Sequence, residues 1–68
     1  MSVADQVRMA NDIALHMAHL DDDDAADQIA AHLNSFWDPR MRAQLLAHIA
    51  EGAPDLNPRV VRAAAKLN

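Results

Sequence analysis

The sequence predicts an all-α fold, a small compact bundle of four short helices. Apolar residues recur at steps of three and four along most of the chain, which is the spacing of one helix face. Alanine, the strongest helix former, occurs fifteen times. Good N-cap residues precede the periodic segments, and two of them are followed by proline, which is favoured at the first helical position. Four amphipathic helices with short connections favour a bundle.

The length allows one domain, spanning residues 1–68, near the lower limit for a self-sufficient core. Because alanines supply much of the apolar content and bury little area, we expect a thin core. Domains of this size seldom gain more than about 3–5 kcal/mol from one core. No cysteine is present, so neither a disulfide nor a zinc–thiolate site stabilises the chain. A partner chain is the remaining candidate.

Charge and hydropathy argue against several kinds of partner. The formal net charge of −4 argues against nucleic acid. An apolar run of about 18 residues would indicate a membrane span, and a charged segment followed by an apolar one would indicate export. The sequence has neither, and the lack of cysteine fits a reducing compartment. We therefore expect a soluble, cytoplasmic protein that does not bind membranes.

The first helix is predicted over residues 3–20. Ser2 is its expected N-cap, and Asp5 completes a capping-box arrangement. One apolar stripe follows the helical period: Val3, Val7, Ala10, Ile13, Ala14, Met17 and Leu20. Leu15 lies outside this stripe. It is either an isolated exposed leucine or a contact to another chain.

Four consecutive aspartates, residues 21–24, precede the second helix, which is predicted over residues 23–37. They lack the ligand spacing and glycine of an EF-hand loop, so an acidic turn that caps the helix is favoured over a calcium site. His16 and His19 have a spacing that suits a metal, but we expect ordinary surface histidines. The predicted inner face consists of Ala25, Ala26, Ile29, Ala30, Leu33, Phe36 and Trp37.

Residues 36–42 form a corner between helix two and helix three and contain both aromatic residues of the chain. Asp38 is the expected N-cap of the third helix, predicted over residues 39–51, and Pro39 is its first residue. Trp37 beside Arg40 and Arg42 is either an interface anchor or the largest part of a small core beside solvated arginines.

Arg42 falls within the apolar arc of helix three, together with Met41, Leu45, Leu46 and Ile49. An arginine there either packs its stem at the edge of the core or reaches a carboxylate or carbonyl. Gly52 is placed to end this helix with a left-handed cap.

The fourth helix is predicted over residues 58–67, with Asn57 as its N-cap and Pro58 as its first residue. The expected inner residues are Val60, Val61, Ala64 and Leu67, with Leu56 stapled onto Val61. The outer residues are Arg59, Arg62 and Lys66. This basic strip is either a solvated face or a complement to the acidic turn.

The sequence contains no catalytic constellation. Ser2 and Ser35 are the only serines, neither has a histidine at a suggestive spacing, and Thr, Tyr and Cys are absent. No glycine-rich phosphate loop is present. We therefore expect a non-catalytic chain that holds no cofactor and no metal.

Several segments resemble the delta subunit of NAD-dependent, molybdenum-containing formate dehydrogenases. They are residues 7–14, residues 29–33 leading into the corner at residues 36–42, residues 45–48 and residues 56–61. The resemblance covers nearly the whole chain and is specific because these runs occur together, in order, in so short a sequence.

The resemblance implies a non-catalytic accessory subunit of a soluble cytoplasmic enzyme that oxidises formate to carbon dioxide with reduction of NAD. Such complexes hold molybdopterin guanine dinucleotide, iron–sulfur clusters and FMN in their larger subunits. The implied role is to bind the large catalytic subunit and to support its assembly, cofactor loading or stability. The partner-binding residues on this interpretation are Arg8, Asn11, Trp37, Arg40, Arg42 and His48.

This interpretation predicts that replacing Arg40 and Arg42 together by alanine leaves helix content nearly unchanged but reduces copurification with the large subunit. The alternative is a free-standing helical adaptor or regulator that acts as a homodimer. A self-complementary patch that includes Leu15 and Met9 would support the alternative. The isolated chain is also expected to form a homodimer if its vacant surface pairs with itself.

Overall fold

A computed structural model describes residues 2–67, and within that range it contains four α-helices and no strand. The helices are α1 (Val3–His16), α2 (Asp22–Phe36), α3 (Pro39–Ala50) and α4 (Pro58–Ala64). The prediction of an all-α fold is confirmed.

Each helix begins at a side-chain cap that accepts a hydrogen bond from a backbone N–H of the first turn. The caps are Ser2, Asp21, Asp38 and Asn57. At α1, the Asp5 carboxylate also accepts from the Ser2 N–H at 3.5 Å, which completes the capping box. Hydrogen bonds with Ser2 lower the pKa of Asp5 below its ordinary value, and the charge of Arg8 adds to this effect.

α1 ends at His16, four residues before the end that the apolar stripe predicted. Residues 17–20 form a turn in which the N–H groups of Met17, Ala18 and Leu20 each bond to a carbonyl three residues back. Asp21 then starts α2 one residue earlier than expected, because its carboxylate accepts from the Asp24 N–H at 2.8 Å. With the cap at residue 21, residues 17–20 form the connection between α1 and α2.

The four helices pack as two main pairs. α2 packs mainly against α4, α1 packs mainly against α3, and α1 also contacts α2 and α4. The largest apolar side chains that are fully buried are Ile29, Leu33, Leu45 and Val60. α3 contributes only Leu45 to the fully buried set, so most of its surface lies outside the core.

Four apolar residues expected on inner faces are exposed, and the first of them is Val3 at the start of α1. Phe36 is 76% exposed because it ends α2 and the extended backbone at Trp37 turns the next side chain into the core instead. Leu46 and Val61 are also exposed. α4 has only seven residues and presents Val60, Ala63 and Ala64 to the core, which leaves Val61 on the outside.

The basic strip, whose last member Lys66 lies beyond the end of α4, pairs with aspartates of α2. Arg59 Nε lies 3.1 Å from Asp22 Oδ1, Lys66 Nζ lies 2.5 Å from Asp27 Oδ1, and Arg62 forms an ion pair with Asp23. Successive pairs have rising residue numbers on both sides, so α2 and α4 run in the same direction. Of the two alternatives for this strip, the structure shows the complement to the acidic segment.

Candidate functional site

The corner between α2 and α3 is stabilised by the buried ring of Trp37 and by hydrogen bonds from Arg42. The Trp37 side chain is 4% exposed and belongs to the core, as the second alternative predicted for this ring, but Arg42 beside it is half-buried and not solvated. Arg42 Nη1 donates to the carbonyl of Trp37 and, at 3.4 Å, to that of Leu33. The Leu33 carbonyl also accepts from the Trp37 N–H at 3.0 Å, whereas the Trp37 carbonyl lies past the last residue of α2, where a helix leaves carbonyls unpaired. Arg42 therefore caps α2, as the carbonyl alternative for this residue predicted.

Asn11 and His48 hold the loop between α3 and α4. Asn11 Nδ2 donates to the Asp55 carbonyl at 3.0 Å, and Asn11 Oδ1 accepts from the Asn57 N–H at 2.8 Å. His48 Nε2 lies 2.9 Å from Asp55 Oδ1, and this hydrogen bond holds the pKa of Asp55 below its ordinary value. These two predicted partner-binding residues thus make contacts that fix the loop onto α1 and α3.

Arg8 lies on the exposed side of α1, where its guanidinium is 2.5 Å from Asp5 Oδ1. The two side chains are three residues apart on one helix and both are solvated. Pairs of this kind contribute little to stability. Whether Arg8 contacts a partner stays a prediction.

Two adjoining clefts between α1 and α3 form one surface, which we call the α1–α3 groove. The first cleft, of about 390 Å³, is lined by Val3, Gln44, Ala47, His48 and Glu51. The second, of about 370 Å³, is lined by Gln6, Asp38, Arg40, Met41 and Gln44. Gln44 lines both, and the lining residues of the two clefts together run from the start of α3 to its end.

Arg40 is exposed and lines this groove, and it has no polar partner among the residues that the structure describes. Every other arginine or lysine in residues 2–67 donates to a carboxylate or to a backbone carbonyl. Asp38 lines the same cleft, but its carboxylate accepts from the Met41 N–H at 2.8 Å and makes no ion pair with Arg40. The guanidinium of Arg40 is therefore available to an anion from outside.

Gln6 is a functional candidate that the sequence reading missed. Its side chain is 1% exposed, and its Nε2 donates to Gln44 Oε1 at 2.6 Å. Its own Oε1 is buried without a donor among residues 2–67, and a buried unpaired acceptor costs about 1–3 kcal/mol. The signal was present, since Gln6 falls three residues after Val3 and four before Ala10, within the apolar stripe.

The structure separates the six predicted partner-binding residues. Trp37 and Arg42 stabilise the corner, Asn11 holds the loop, Arg8 lies on open surface, and Arg40 and His48 line the groove. Their contacts with a partner stay a prediction.

The described residues contain no group of three or more His, Cys, Asp or Glu side chains placed to hold a metal ion. Within residues 2–67, no helix has the length and hydropathy needed to cross a membrane.

A model of the family named NADH-dependent formate dehydrogenase delta subunit FdsD matches residues 6–64 of the 68-residue chain. The chain belongs to this family. The resemblance seen in the sequence is confirmed, and membership makes the chain a subunit of an oxidoreductase complex. Residues of the delta-subunit match include Gln6, Arg40 and Gln44 of the groove. Searches of curated proteins and of solved structures found no match.

Proposed function

We propose that this delta-subunit family member binds the large catalytic subunit of formate dehydrogenase and supports its assembly, cofactor loading or stability. The chain itself is non-catalytic in this proposal and acts in the cytoplasm. Molybdopterin guanine dinucleotide, iron–sulfur clusters and FMN belong to the larger subunits, as does the transfer of electrons from formate to NAD. The single observation that carries the proposal is the family match over residues 6–64.

The small, alanine-rich core of the chain supports a role as a subunit. Its fully buried side chains are few, and alanines make up a large part of the core. A core of that kind leaves the chain close to the limit of independent stability. Binding to a large partner stabilises a marginal domain by mass action.

The test is deletion of the chain from cells that produce the complete formate dehydrogenase. We expect formate-dependent NAD reduction in the extract to fall, together with the molybdenum content of the purified catalytic subunit or its abundance. A plasmid copy of the chain should restore both. A tagged chain should copurify with the catalytic subunit. Normal activity after deletion, together with no copurification, would contradict the proposal.

The homodimer alternative has one observation in its favour, since Leu15 is 65% exposed and Met9 is also exposed. These residues are six positions apart on α1, which places them about 120° apart around the helix. They do not form one patch, so the alternative lacks a self-complementary surface there. Light scattering on the purified chain measures its mass directly.

A further inference from the structure

We propose that the α1–α3 groove is the surface that docks on the catalytic subunit, and that its occupant is a segment of that subunit carrying a carboxylate that binds Arg40. The inference rests on the proposed function, because it takes the catalytic subunit as the partner. It adds which surface is used and what chemistry the partner presents.

Arg40 carries the first step of the argument. It is exposed, it lines the groove, and it is the only arginine or lysine in residues 2–67 without a carboxylate or carbonyl partner. An arginine fork binds a carboxylate through two parallel hydrogen bonds. Arginine is also among the residue types that most often anchor binding energy at an interface. An aspartate or glutamate of the partner is therefore the group that fits the end of the groove at the start of α3.

The opposite end of the groove has the complementary charge. Glu51 is exposed, lines the cleft at the end of α3, and makes no ion pair within residues 2–67. Arg40 and Glu51 are eleven positions apart along α3, or about 16 Å at the helical rise. A partner segment with a carboxylate at one end and a cationic side chain at the other fits both.

The groove also has an apolar part, in the cleft at the end of α3. Val3 and Ala47 are exposed there, and the alanine side chain leaves room for a larger group. Ala47 follows Arg40 by seven positions, which is about 10 Å along α3. The occupant should therefore present an apolar side chain about 10 Å from its carboxylate, as residues seven apart do on a helix.

Gln44 adds a polar group where the two clefts meet, since it is half-buried and lines both. Its Oε1 accepts from Nε2 of the buried Gln6 at 2.6 Å, which holds the Gln44 side chain in place. The occupant should therefore present a polar group beside Gln44. The charged surface along α2 and α4, by contrast, is already paired within the chain.

The experiment uses the complete complex with a tag on this chain and measures how much catalytic subunit is retained per chain. Arg40→Glu should reduce retention at least about tenfold, the loss expected when a charged interface contact is reversed. Ala47→Arg should do the same by filling the apolar part. Arg40→Lys keeps the charge but loses the fork, so it should reduce retention less than Arg40→Glu does. Ala31→Arg, the same substitution at an exposed position of α2, is the matched control and should bind normally.

Circular dichroism and thermal unfolding of each free variant establish that the fold is intact. Folded Arg40→Glu and Ala47→Arg variants that retain the catalytic subunit as well as the wild type would overturn the groove assignment while leaving the proposed function standing. A wild-type chain that retains none would instead contradict the proposed function. A free chain that is a dimer in light scattering and becomes monomeric with Arg40→Glu would show that a second copy fills the groove, which also overturns the assignment.

Discussion

Arg42 acts as a C-terminal cap made by a side chain from the next helix. Its guanidinium donates to the carbonyls of Leu33 and Trp37, and the ring of Trp37 is buried directly beside this turn. The arrangement connects the end of α2 to the start of α3 through hydrogen bonds to a charged group, which are stronger than neutral ones. Arg40, two residues earlier, makes no such contact. The two arginines therefore need separate tests.

We predict that Arg42→Ala lowers the free energy of unfolding by about 1.5–3 kcal/mol, because two C-terminal carbonyls lose a charged donor. Arg40→Ala is the matched control and should change it by less than about 0.5 kcal/mol, as expected for a solvated side chain. Urea unfolding followed by circular dichroism measures both. Equal effects of the two variants would contradict the capping role of Arg42.

The hydrogen bond between His48 and Asp55 makes stability depend on pH. His48 holds the folded-state pKa of Asp55 below its ordinary value, so the folded state favours the carboxylate. The resulting stabilisation is present above the unfolded-state pKa, about 4, and is lost as pH falls through the lower folded-state value.

We predict that His48→Ala raises the pKa of Asp55 toward its ordinary value and removes that part of the acid sensitivity. An NMR titration of the Asp55 carboxyl carbon measures the pKa, and urea unfolding at neutral and acidic pH measures the stability. His16→Ala is the control, because His16 is exposed and makes no hydrogen bond to Asp55. An unchanged Asp55 titration in His48→Ala would refute the coupling.

At the scale of the elements, α4 depends on its neighbours. A helix of seven residues is too short to be stable alone in water. α4 is held by its buried Val60, Ala63 and Ala64 and by the ion pairs of Arg59 and Arg62 with α2. Arg59 makes one contact that Arg62 and Lys66 do not make, since its Nη1 also donates to the Met17 carbonyl at 3.0 Å. It thus joins α4 to the end of α1 and to the start of α2.

We predict that Arg59→Ala costs about 1–2 kcal/mol of unfolding free energy, because it removes a helix cap as well as an ion pair. Arg62→Ala removes only an exposed pair and should cost no more than about 1 kcal/mol. Thermal unfolding of both variants at low and high salt distinguishes the two contributions, because salt should screen that of Arg62. An Arg62 variant less stable than the Arg59 variant would contradict this ranking.

At the scale of the whole molecule, the core is too small to cover every helix. α3 packs mainly against α1 and has one fully buried apolar residue, Leu45. The groove beside it contains an unpaired arginine and borders a buried glutamine with an unpaired oxygen. The unpaired oxygen reduces the stability of a free chain, and the unpaired arginine leaves a charge that a partner carboxylate can bind.

The helix starts were predictable from the sequence because caps act over three or four residues. Ser2, Asp38 and Asn57 cap the helices that were assigned to them. The end of α1 was not predictable from its stripe, because Met17 and Leu20 remain apolar after the helix has ended. The exposure of Phe36 was missed as well, since only the backbone turn at Trp37 decides which of two adjacent rings enters the core.

The sequence by itself determined the all-α class and the capped helix starts, and its resemblance indicated the delta-subunit family. Local hydrogen bonds, periodic apolar positions and short specific runs are all properties of residues close together in the chain. Only the tertiary structure decided which charges find partners. Arg42 meets two carbonyls, Arg59 meets Met17 and Asp22, and Arg40 meets none. These outcomes depend on how α1, α2, α3 and α4 are placed against one another, and residue spacing along one helix does not contain that information.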